Sequence, residues 1–161
     1  MKHNHKSRTF GKIKIDQVPR WLRPKMKKIT RTELGLTHYT NIDIMCKGEG
    51  TPELMWQIGG GILTFAFIAR ELRKGETDML EQSELLRRLV AHYQATGRVE
   101  WPSDADYRLG VHGVEVMDLL AELVDHATAL AAAEYSETRI NEIRDRIEGT
   151  TTESSKGEAY V

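Results

Sequence analysis

A chain of 161 residues, 40% hydrophobic and 29% charged, has the size and composition of one soluble globular domain. Its one cysteine, Cys46, excludes an internal disulfide and a cysteine-rich metal site. The formal net charge of −1 hides a split: residues 1–32 hold eleven bases against one acid, a net of +10, and residues 33–161 hold 12 bases against 23 acids, a net of −11.

The N-terminal stretch "MKHNHKSRTF" has no apolar h-region, so no secretory signal is expected. Residues 1–18 are polar and basic, with a faint alternation in which Ile13, Ile15 and Val18 suit a short extended segment. Pro19 and Pro24 bracket "RWLR" and forbid a long helix through it. A short helix is expected over Thr37 to Lys47, with Ile42, Met45 and Cys46 as its apolar side and Gly48 and Gly50 beyond its end. "GTPEL" starts the next helix: Thr51 as N-cap, Pro52 at the first position, Glu53 answering the helix dipole. It runs to about Lys74, with Gly75 as the stop.

A third helix follows from about Thr77 to Thr96, with Met79, Leu80, Leu86, Leu89, Val90 and Tyr93 as its apolar stripe and Gly97 at its end. "RVEWP" reads as extended, because Trp101 precedes a proline. "SDAD" is a capping-box start for a long helix from Asp104 to about Ala133, and Ser136 is expected to cap a last helix, "ETRINEIRDRI". From Gly149 onward the chain reads as a disordered polar tail. No internal repeat is evident. The one long apolar stretch, Leu54 to Ala69, falls short of the roughly 18 to 20 apolar residues of a spanning helix and contains Gln57, Thr64 and three glycines.

Two stretches invite a chemical reading, and each has a plainer competitor. "QIGGGILTF" evokes glycine-rich phosphate loops, but those follow a strand, and here the glycines come two turns into a helix and are followed by Ile and Leu rather than Lys. A close helix contact is the better reading, with crowding expected at Gly60 in particular. Glu115, Asp118, Glu122, Asp125 and His126 share one helix face, opposite Val116, Leu119, Leu120, Leu123, Ala127 and Leu130, which are expected to face the core. Metal sites in bundles draw ligands from several helices into the core, so a solvated acidic face is expected here and no metal site. His92 and His112 stand alone, and no Ser or Cys has a histidine neighbour that suggests a nucleophile.

The basic stretch remains. "PRWLRPKMKKITR", residues 19–31, packs six bases, one tryptophan and two prolines with no acid. Clustered cations suit phosphates, and an aromatic platform suits single-stranded bases. Lys12, Lys14, Arg20, Trp21, Arg23, Lys25, Lys27, Lys28 and Arg31 are therefore the candidate nucleic-acid-binding residues. The competing readings are an arm for an acidic protein surface, or a packed tail in which Trp21, Leu22 and Met26 fold back onto the domain.

Taken together, the basic N-terminal stretch, "TPELMW…LTFAFIA", "TGRVEW" before a long helix and a final "SETRINEI" resemble a group of small uncharacterised proteins from bacterial phages and plasmids, over residues 8–147. That resemblance implies a helical fold and a mobile-element origin, and carries no activity or site residues.

The expectation is an all-α single helical-bundle domain of about four helices over residues 33–148, with a basic N-terminal arm over residues 1–32 and a short disordered tail over residues 149–161. The expected function is a non-enzymatic, nucleic-acid-associated accessory or regulatory protein of the bacterial cytoplasm, needing no cofactor and touching no membrane. Its partners are expected to be DNA or RNA, with a protein partner or a homodimer formed through the body. The alternative is an adaptor or inhibitor that docks an acidic surface of a host complex.

Overall fold

A computed structural model of the chain describes residue 25 and residues 27–157. Among these residues five helices occur: α1 (Lys28–Cys46), α2 (Pro52–Leu72), α3 (Glu76–Thr96), α4 (Asp104–Leu123) and α5 (His126–Gly157). The all-α expectation holds; the count of four does not. No helix among the described residues is long and apolar enough to cross a membrane.

The caps legible in the sequence form as expected. Thr51 Oγ1 accepts from the Leu54 N–H at 3.2 Å, with Pro52 beginning α2 behind it. Ser103 Oγ accepts from the Asp106 N–H at 3.1 Å and donates to Asp106 Oδ2 at 2.9 Å. The other carboxylate oxygen of Asp106 holds Arg88 of α3 at 2.8 Å, so the cap also ties α3 to α4. Gly97 closes α3 in the left-handed region, at φ 69°.

Four boundaries move. The first helix starts at Lys28 rather than Thr37, and Gly35 lies inside it, its missing side chain leaving room for the Asp118 carboxylate of α4. The second ends at Leu72. Arg73 itself takes the left-handed conformation, at φ 53°, and the Lys74 N–H returns to the Ala69 carbonyl at 3.1 Å. Gly75, at φ 67°, then opens α3. The expected helix from Asp104 to Ala133 is broken: Val124 is extended, at ψ 141°, and fully buried. Asp125 starts a new helix, its Oδ1 accepting from the Thr128 N–H at 3.0 Å and its Oδ2 from the Thr128 hydroxyl at 2.7 Å. Ser136 is therefore no cap. It sits inside α5, buried, accepting from the Thr64 hydroxyl of α2 at 2.7 Å and donating to the Ala133 carbonyl at 3.0 Å. The backbone of α5 stays helical through Gly157, beyond the expected end at residue 148.

Helix α2 is the centre of the bundle and touches each of the other four. Met55, Trp56, Ile62, Phe65, Ile68 and Ala69 bury its inner side. Its glycines are spacers, though not where the sequence places the crowding. A Cβ at Gly59 would lie 2.8 Å from Ile140 Cδ1 of α5 and 3.1 Å from Leu86 Cδ1 of α3, whereas at Gly60 it would meet nothing within 4 Å. The packing reading stands with its crowded site moved by one residue.

The core faces of α3 and α4 also turn. Leu80, expected inside, is 67% exposed, and Gln82 is buried in its place, with its Nε2 donating to the Leu109 carbonyl at 2.8 Å. On α4, Leu119 and Leu123 face out, as does Leu130 on α5, while Gly110, Gly113, Val114 and Met117 face in. The cause is Gly113, whose missing side chain leaves room for the Gln82 amide, and Gly110, which lies against the Trp101 ring. Two contacts pin the loops: antiparallel bridges join Gly50 to Val99 and Lys25 to Asp125.

Candidate nucleic-acid interface

Every helix begins with unpaired N–H groups and the positive end of its dipole. In α2, α3 and α4 acids answer that charge from the first turn: Glu53, then Glu76 and Asp78, then Asp104 and Asp106. The buried Asp125 does so for α5. Helix α1 has no such answer. Its N-cap is Lys27, extended at φ −61° and ψ 144°, with no side-chain cap and no acid in the first turn. Lys28 and Arg31, the last two cations of the candidate set, fall on that turn. Extending α1 back to Lys28 thus adds dipole and N–H donors to residues that the sequence reading treats as part of a separate arm.

Lys25 is used differently. Its Nζ donates to the carbonyl of Leu123, at the C-terminus of α4, and its backbone pairs with Asp125. A cation at the negative end of a helix is favourably placed. One predicted phosphate ligand is therefore engaged with the body at the α4–α5 break. Lys27 is exposed. Lys12, Lys14, Arg20, Trp21 and Arg23 lie outside the described residues.

The acidic face of α4 is less uniform than its spacing implies. Glu115, Glu122 and His126 are exposed. Asp125 is 3% exposed and serves as the cap described above. Asp118 is half-buried against Gly35, and that burial pushes its pKa up, helped by Glu122 and opposed by His38. Among the described residues, no three His, Cys, Asp or Glu side chains are grouped closely enough to hold a metal ion. His92 and His112 each meet a carboxylate, Glu100 at 3.2 Å and Asp78 at 3.0 Å respectively.

A second candidate lies between α1, α2, α3 and α4. A cavity of about 30 Å³ is lined by His38, Asn41, Gln82 and Trp101 among Ile58, Ile62 and Met117. His38 Nδ1 and Trp101 Nε1 are buried without hydrogen-bond partners among the described residues. Burial holds the His38 imidazole below its usual pKa, with Asp118 pulling the other way. A space of that size suits water rather than a substrate. No sequence spacing links His38 to Trp101, so this polar spot was not visible before the helices were assembled.

Set beside known proteins, the chain matches no protein-family model, no curated protein and no solved structure.

Proposed function

We propose that the chain is a non-enzymatic, nucleic-acid-associated accessory protein of a bacterial mobile element, which holds phosphates through its basic N-terminal segment and the start of α1. The observation that carries the reading is the start of α1: an uncapped, acid-free helix terminus at exposed Lys27, in a stretch whose sequence continues with Lys28 and Arg31. Phosphate favours that combination of cations, free N–H groups and positive dipole. The +10 balance of residues 1–32 supports it, and the resemblance to phage and plasmid proteins supports the origin.

The test is a salt titration of the full chain against labelled single- and double-stranded oligonucleotides. Each phosphate contact contributes about 0.7 to 0.9 to the slope of log affinity against log salt. Lys27→Gln, Lys28→Gln and Arg31→Gln together should flatten that slope by roughly 2 to 3. The same triple change removes cations from the positive end of a helix, so thermal stability should hold or rise slightly. Binding lost with stability intact is the expected result. Full-length protein that binds neither DNA nor RNA at about 50 mM salt ends the nucleic-acid reading and leaves the acidic protein surface.

A further inference from the structure

Beside the short α2–α3 connection, helices α2, α3 and α5 frame an open groove of about 270 Å³. Its apolar lining comes from Leu63 and Phe67 of α2, Met79 and Leu80 of α3, and Tyr135 of α5. Met79 forms a buried floor. Leu80 is 67% exposed and Tyr135 44% exposed. The Phe67 and Tyr135 rings meet at 5.3 Å with a tilt of 39°, and the Arg70 guanidinium lies 5.2 Å over the Phe67 ring. A lone exposed leucine needs no explanation. Phenylalanine, tyrosine and methionine converging on one groove, with an arginine stacked at its edge, form the composition of an interface centre.

We propose that this groove is the two-fold contact between two copies of this chain. The argument for a second copy is the charge around it. Arg70 and Glu76 both border the groove, and neither has an ion-pair partner in the chain among the described residues. A two-fold interface brings the same patch to itself, so a residue contacting a second residue across the axis is repaid by the reverse contact. Arg70 of each copy would then face Glu76 of the other, and each gains an ion pair that it lacks within its own chain. A polyanion would meet Glu76, and a basic partner would meet Arg70, with like charge in either case. Residues 33–161 carry −11, so two bodies repel in general. A border holding one charge of each sign is where that repulsion is least.

The experiment is sedimentation equilibrium of the full, nuclease-treated chain from about 10 to about 500 μM, a range that brackets weak self-association. The wild type should show a concentration-dependent dimer. Leu80→Glu should leave only monomer, with helical content unchanged because Leu80 is exposed. Arg70→Glu and Glu76→Arg should each weaken the dimer by roughly tenfold, and the two changes in one chain should restore it to within about threefold of wild type, since they exchange the signs across the axis. A wild type that stays monomeric throughout overturns the proposal. So does a dimer that survives Leu80→Glu, or one that the exchanged pair fails to restore.

Discussion

Gly59 and Gly60 are neighbours on one helix with opposite surroundings, so one substitution made at each position isolates packing from helix propensity. Replacing a helical glycine with alanine is worth about 1 kcal/mol in favour of the helix, at either residue. At Gly60 nothing opposes that gain, because a new Cβ meets no atom within 4 Å. Gly60→Ala should therefore stabilise the protein by about 0.5 to 1 kcal/mol. At Gly59 the new methyl would lie 2.8 Å from Ile140 Cδ1 and 3.1 and 3.3 Å from the two Leu86 methyls. Ile140 can swing its terminal methyl aside, at about 0.5 to 1.5 kcal/mol if it leaves its rotamer. Leu86 is buried between α2 and α3 and has less freedom, so an overpacking cost of about 1 to 3 kcal/mol applies in all. Set against the helix gain, Gly59→Ala comes out roughly 0 to 2 kcal/mol destabilised. The two variants should differ by about 1 to 3 kcal/mol, or several degrees in Tm for a chain of this size. Urea unfolding followed by circular dichroism measures the difference, with equal m-values as the check that only stability changed. Gly59→Ala with a midpoint at or above that of Gly60→Ala would refute the close approach of α5 and α3 to this turn.

Asp125→Ala should cost about 1 to 2 kcal/mol, because it removes the cap of α5 and leaves the Thr128 N–H and hydroxyl without their acceptor; urea unfolding at neutral pH checks it, and a cost under about 0.5 kcal/mol, typical of an exposed acid, would argue for one continuous helix instead. His38 is held below its usual pKa, so its contribution is intact above the unfolded value of 6.5 and is lost as pH falls below that toward the folded value. His38→Gln should flatten the decline of the urea midpoint below pH 6.5, whereas His112, raised mainly by its bond to Asp78, contributes with the opposite sign and should leave that difference untouched; an unchanged slope in His38→Gln would place His38 outside the core.

Local rules explain what the sequence made legible. Thr51 with Pro52, Ser103 with Asp106, and Gly97 are caps whose partners lie within a few residues, and each forms as read. What stayed hidden was decided by distant residues. The break at Val124 and Asp125 sits in a run with helical spacing on both sides, and Asp125 falls in register with Glu115, Asp118 and Glu122. It becomes a cap because Val124 is drawn fully into the core, which no periodicity encodes. The facing of α4 was misread for a related reason. Leucines outrank glycines in any hydrophobic pattern, yet Gly110 and Gly113 face inward because the Trp101 ring and the Gln82 amide fill the space they leave. The start of α1 is equally a long-range matter: Gly35, a weak helix former by propensity, serves as the place where α1 meets Asp118.

The charge division was legible, but the division of labour within the basic residues was not, because Lys25 reaches a carbonyl 98 residues away in sequence. That contact is exposed, and an exposed charged bond of this kind contributes at most about 1 kcal/mol. Its consequence is positional. Bridged to Asp125 and bonded at the end of α4, Lys25 fixes where the basic segment meets an acidic body, three residues before α1 begins at the uncapped turn. A segment of +10 next to a body of −11 would lower its energy by spreading along the acidic α4 face. Lys25 itself meets that body at a carbonyl rather than at a carboxylate. Lys27, by contrast, is left exposed at the uncapped, acid-free start of α1.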